Sequence, residues 1–222
     1  MALFTISLNQ FIEAFNATPK GKSRIVKQQI NVNIFLTPWY QLAKNRMKLY
    51  FRDVSQTTVL TQALLELRAR VPKNDKDRRN ISVSQEAITR VVGMRFENIL
   101  DLGYQTISPA VKQIDINGIA ININPDMIFK YQDGNKVRLG ALKFHVSKSK
   151  PFDNTQSQQI ANLVRMYLEQ KIAKPGEVVD ETICLSYDVF TDRLTPANGN
   201  MLLTTSAAKA LCDELTQIYN TL

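Results

Sequence analysis

Two dipeptides, Asn117-Gly118 and Asp133-Gly134, restrict the fold of this chain more than any other feature. An Asn-Gly or Asp-Gly pair tolerates the positive φ that joins two antiparallel strands with the correct twist. The runs around them, Val111 to Ile116, Ile119 to Tyr131 and Lys136 to Val146, are rich in apolar and β-branched residues. They are expected to form a three-strand antiparallel meander, its middle strand broken by Pro125. Thr155 to Ala173 then carries Ile160, Leu163, Val164, Tyr167 and Leu168 at helical spacing and is stopped by Pro175-Gly176. Glu181 to Val189 reads as a fourth strand, followed by a loop from Thr191 to Asn200. A meander, a crossover helix and a further strand make an α/β fold with a mixed sheet flanked by helices.

The first half reads as helical. Ser7 can cap a helix bearing Leu8, Phe11, Ile12 and Phe15, which Thr18-Pro19-Lys20-Gly21-Lys22 ends. Ile25 to Leu36 alternates weakly and reads as extended. Thr37-Pro38 starts a helix running to about Arg52, and Thr57 to Arg70 forms another. Val71 to Asn80, with Pro72, Asn74 and several charges, reads as an exposed loop. Ser84 then opens a helix with Ile88, Val91, Val92, Phe96, Ile99 and Leu100 on one face, closed by Gly103. The expected organisation is a basic, mainly helical region over residues 1–83 and an α/β core over 84–222, which ends in a helix from Ser206 to Thr221.

Several chemistries lack their residues. The two cysteines, Cys184 and Cys212, form no CxxC pair and lie in apolar surroundings, as buried thiols in a reducing compartment would. His145 is the single histidine, which excludes a His-rich metal site and the HExxH zinc motif. It reads as a structural histidine. The chain has no GxxxxGK[ST] loop, no GxGxxG and no GxSxG. No apolar run approaches the roughly 20 residues of a membrane-spanning helix. Met1 to Gln10 lacks the pattern of a signal peptide, so a cytoplasmic protein without a membrane partner is expected. Hydrolytic chemistry would have to come from carboxylates and lysines with a hard divalent metal.

The net charge of +8 is confined to one half of the chain. Up to Gln105 there are 16 Lys or Arg against 8 Asp or Glu; beyond it there are 12 of each. Three clusters carry the excess: Lys20 to Lys27; Lys44, Arg46, Lys48 and Arg52; and Arg68, Arg70, Lys73, Lys76, Arg78 and Arg79. Trp39, Tyr40, Tyr50 and Phe51 flank the middle cluster. Cations interleaved with aromatics point to a polyanion surface, nucleic acid first. Lys148 and Lys150, in the loop after the third meander strand, could reach phosphates as well. The plainer alternative is a set of solvated helix faces.

Within the meander, Ala141, Lys143 and His145 share one strand face, while Leu142, Phe144 and Val146 share the core face. Asp126 lies on the adjacent strand. Pro125-Asp126 and Ala141-Leu142-Lys143, with the order helix, three strands, helix, strand, resemble the PD-(D/E)xK nuclease superfamily, in particular its RecB-like members. The resemblance spans about Ser84 to Val189. It implies a metal-dependent nuclease cutting phosphodiester bonds, DNA before RNA, with Mg2+ or Mn2+ as cofactor. Such folds serve in restriction, repair, recombination and antiviral defence. Asp126 would be a metal ligand, Glu97 on the first core helix a further one, and Lys143 would orient the attacking water and stabilise phosphate charge. The chain departs from the pattern at Ala141, where the second acidic ligand is expected, so the resemblance implies an inactive or weak enzyme. Ala141 could be an engineered replacement or the natural residue of a fold kept for binding. Two further readings stand beside the nuclease: a non-catalytic nucleic-acid-binding or assembly subunit, and a protein adaptor that docks an acidic partner or a second copy of itself.

Overall fold

The computed structural model describes residues 2–31, 39–53, 56, 58–94, 96, 99, 101–197 and 201–222; of 201–203 only the backbone is described. The chain opens with β1 (Phe4–Ser7), α1 (Leu8–Phe15), α2 (Pro19–Ile30), α3 (Gln41–Arg52), α4 (Thr58–Ala69) and α5 (Asp75–Gly93). It continues through β2 (Gln105–Ile107), β3 (Gln113–Ile116), β4 (Ile119–Asn122), β5 (Met127–Asp133) and β6 (Lys136–His145). α6 (Asn154–Tyr167) runs into a π turn, Leu168–Ile172, followed by β7 (Glu177–Asp188), β8 (Arg193–Pro196) and α7 (Met201–Asn220). The protein is mixed α/β, as the hydrophobic periodicity requires.

The strands form two sheets. The larger has the order β2-β5-β6-β7-β8, and the smaller β1-β4-β3. β2, β5 and β6 are antiparallel neighbours, and β6 and β7 run parallel through α6. The expected meander is corrected: Ile119 to Tyr131 is two strands, β4 and β5, in different sheets, and of the two hairpins only the one at Asp133-Gly134 joins strands of the large sheet. The Asn117-Gly118 hairpin does not enter it: β3 and β4 pair with β1 instead, and the short β2 takes the first place in the large sheet. The chain leaves one sheet for the other between Asn122 and Met127, where Asn124 adopts a positive φ of 38° before Pro125. Asn tolerates that conformation better than most residues.

Local caps explain the other corrections. Thr18 accepts a hydrogen bond from the Gly21 N–H, and Pro19 occupies the first turn, so this segment opens α2 as well as ending α1. Ile25 to Ile30 is accordingly helical and not extended. Asn74 accepts from the Asp77 N–H, with Asp75 and Asp77 in the first turn facing the positive end of the helix dipole. α5 thus begins nine residues before Ser84 and turns the supposed 71–80 loop into its first turns; it stops at Gly93, well before Gly103. The boundary expected at 83/84 falls inside α5. Asp153 and Gln156 form a full capping box at the start of α6.

Two apolar cores lie on opposite faces of the large sheet. On one face α3, α4 and α5 pack on Met127, Phe129, Leu142, Phe144, Leu185 and Tyr187. On the other, α1, α2, α6 and α7 share a core with the small sheet and with Ile128, Leu139, Ala141 and Cys184. Residues from both halves of the sequence build each core. Gly140 is required by close approach: a Cβ there would stand 2.7 Å from Phe129 and from the Ile183 side chain, and 2.8 Å from the Ile183 carbonyl oxygen. Gly140→Ala is expected to cost about 2 kcal/mol by overpacking, read as a lower midpoint in urea unfolding with an unchanged m value.

Candidate nucleic-acid interface

The site is built where β5 begins and β6 ends. The ladder pairs Met127 with Leu142, and the Asp126 N–H donates to the Leu142 carbonyl at 2.9 Å. Asp126 therefore lies across from Lys143 on the same face of the strand pair, as the alternation along β6 requires. Lys143 Nζ stands 3.6 Å from Asp126 Oδ2 and donates to the Asn124 carbonyl at 2.7 Å. Asp126 Oδ2 also accepts the Phe144 N–H at 2.8 Å. Burial pushes the Lys143 ammonium below the usual lysine range, and the Asp126 carboxylate opposes that shift.

α3 supplies the other half. Its core stripe is Ala43, Met47 and Phe51. Lys44, Lys48 and Arg52 each follow one position later, at i, i+4 and i+8, so they lie along the rim of the packed face. Lys48 Nζ reaches Asp126 Oδ1 at 3.0 Å. Lys44 is pushed below the usual range chiefly by burial, with Asp126 opposing and Lys143 and Lys48 adding to the shift. Two lysines thus pair with one carboxylate, and Lys44 lies within its electrostatic reach. A cavity of about 290 Å3 opens beside it, lined by Lys48, Arg52, Lys112, Asn124, Pro125 and Asp126 among others. Among the described residues Asp126 is the single carboxylate of that lining.

The remaining candidate residues divide. Arg46 and Arg70 both pair with Glu66, at 2.9 and 3.9 Å, on the outer side of α3 and α4. Arg68 is exposed on α4 and does not join the Asp126 cavity. Lys148 binds Glu86 at 2.6 Å, and Lys150 lies 3.8 Å from Glu13. The Lys20 to Lys27 cluster sits on α2 against α7, where Lys22 pairs with Glu214 at 2.6 Å, so the three basic clusters do not form one surface. Glu97 lies outside the described residues.

Ala141 is not among the residues that line the Asp126 cavity. It is fully buried, pairs with Ile128 across the ladder, neighbours Cys184 on β7, and belongs to the core beneath α6. The position at which the resemblance expects the second acidic ligand thus lies on the face of Lys143, but there that face is covered by apolar residues. The resemblance implies a divalent metal, and the described residues do not fit one. Both oxygens of Asp126 are engaged by Lys48 and the Phe144 N–H, the second ligand position carries a methyl group, and no group of three His, Cys, Asp or Glu converges among the described residues.

His145 is packed into the fold. Its ring stacks on Phe152 at 3.7 Å, and Nε2 lies 2.7 Å from the Lys150 carbonyl. Burial lowers its pKa. The fully buried Asp188 accepts the N–H groups of Phe152, Phe190 and Thr191 and ties two loops together. Its part was missed from sequence, as was that of Lys112, an isolated lysine with no periodic signal. Both thiols are buried and pushed up by that burial, as inert cysteines are. Among the described residues no helix is long and apolar enough to cross a membrane. No protein-family model matches the chain, and no curated protein matches it either.

Proposed function

We propose that this protein binds the backbone of nucleic acid along the Lys44–Lys48–Arg52 face of α3, as a non-catalytic module built on a nuclease-like sheet. One observation carries this reading: Lys48 and Lys143 both pair with Asp126, and Arg52 and Lys112 line the same cavity, which leaves the described residues of the site with an excess of positive charge. A phosphate can take up that excess, whereas a divalent cation would be repelled by it. Lys48 and Arg52 line an open cavity at the site and can offer their donors to phosphate oxygens.

A second reading, the PD-(D/E)xK nuclease, is favoured by a different observation. Asp126 and Lys143 oppose each other across β5 and β6, and the succession β2-β5-β6, α6, β7 lends this reading support. No step through a metal is derived from it, because the described side chains do not fit one.

The experiment is a titration of labelled single- and double-stranded DNA and RNA, read by fluorescence anisotropy with and without Mg2+. Binding is expected to need no Mg2+ and to weaken as salt is raised, with a log–log slope of about −2 to −3 if three phosphates are neutralised. Lys48→Ala and Arg52→Ala should each reduce that slope by about 1. Absence of binding, or an affinity indifferent to salt, overturns the proposal. Metal-dependent cleavage by the unaltered chain would favour the second reading.

A further inference from the structure

Trp39 is the only tryptophan of the chain, and it is 40% exposed. It stands at the meeting of two grooves of about 640 and 1000 Å3. The first groove carries Arg70, Lys73 and Lys76 with one carboxylate, Asp77. The second runs between α5 and the segment after β6 and carries Arg78, Arg79, Lys44 and Lys148, with no carboxylate among the described residues of its lining. Three of these cations have partners at the margin: Arg70 pairs with Glu66, Arg78 with Asp75 and Lys148 with Glu86. Even with those acids counted, both grooves remain positive.

Tyr40, the next residue, is anchored firmly. Its backbone N–H donates to Asn80 Oδ1 at 3.0 Å, and its hydroxyl accepts the Lys148 N–H at 3.2 Å. Its ring is buried and packs on Phe190 at 5.8 Å. Its φ of 60° turns the chain sharply at this point. The side chain of Tyr40 is thus held within the fold while that of Trp39 projects into the grooves on a fixed base.

We infer that Trp39 is the stacking platform for an unpaired base of a single-stranded nucleic acid whose backbone runs through the two flanking basic grooves. An exposed indole between cationic grooves has the elements of single-strand recognition, a π face for the base and cations for the phosphates. A duplex offers no free base face at this position. An acidic peptide would use the cations but leave the indole face bare. Lys44 connects the two regions: it lines the larger groove and lies in the electrostatic field of Asp126 and Lys143. The strand that stacks on Trp39 therefore leads toward the α3 site. This inference rests on the nucleic-acid reading above and adds to it the single strand and a second contact point.

Because the tryptophan is unique, its emission reports this site alone. The full chain is titrated with a labelled oligothymidylate and with the corresponding duplex, while anisotropy of the label and emission of Trp39 are followed together. Quenching of Trp39 that parallels the anisotropy is expected with the single strand and not with the duplex. Trp39→Ala should weaken single-strand binding about tenfold and leave duplex binding unchanged, and Trp39→Phe should retain most of the affinity. Oligonucleotide binding that leaves Trp39 emission unchanged overturns this inference while the nucleic-acid reading stands. So does an affinity unaffected by Trp39→Ala, or quenching by an acidic peptide and not by the oligonucleotide. Absence of any anisotropy change overturns both.

Discussion

Ala141→Glu is expected to lower the stability of the protein by about 4 kcal/mol and to create no metal-dependent cleavage. The methyl group of Ala141 is fully enclosed between Ile128, Cys184 and the core under α6. A carboxylate placed there must be desolvated, protonated or extruded, and the core offers no room for the added atoms. The nuclease reading expects the reverse, a completed metal site beside Asp126 and Lys143. Denaturant unfolding together with a cleavage assay in Mg2+ and in Mn2+ separates the two. A stable Ala141→Glu protein that cuts DNA or RNA, with cutting lost on adding Lys143→Ala, would displace the binding reading. A destabilised and inactive one fits a chain in which alanine belongs at this position.

The second large effect is expected at Asp126. Asp126→Ala leaves Lys143 with only the Asn124 carbonyl and leaves the Phe144 N–H without its acceptor. Both losses fall in a nearly buried place, and the expected cost is about 3 kcal/mol, because the remaining charge is no longer compensated. Asp126→Asn keeps an oxygen for the Phe144 N–H and removes only the charge. Its destabilisation should be smaller, and it should bind nucleic acid about threefold more tightly, because one negative charge facing the phosphates is gone. Thermal unfolding and anisotropy at one fixed salt concentration measure the two effects separately. Weaker binding by a well-folded Asp126→Asn protein would show that this carboxylate takes part in recognition instead of opposing it.

Much of the site was legible in the order of residues. The period of two along β6 places Lys143 opposite to Leu142 and Phe144, and the Asp133-Gly134 turn brings Asp126 across from it. The period of 3.6 along α3 aligns Lys44, Lys48 and Arg52 next to Ala43, Met47 and Phe51. These are local regularities, repeated every few residues, and a chain displays them before it folds. The start of α5 was equally local, in Asn74 and the two aspartates after it, but Pro72 and the density of charge masked it.

What only the tertiary structure decided concerns distance along each face. Alternation puts Ala141 and Lys143 on one side of β6 and says nothing of how far the covering core extends: at 141 that face is sealed by apolar residues, and at 143 it meets Asp126 and the Asn124 carbonyl. Alternation also cannot assign the β3–β4 hairpin to a sheet, because its third partner is β1, four residues more than a hundred positions away. The pairing of Lys48 with Asp126, which turns a candidate metal ligand into the counter-ion of lysines, joins a helix to a strand that share no local pattern. Periodicity encodes which way a side chain points; what it meets there depends on long-range packing, which is decided by the burial of the whole apolar surface at once.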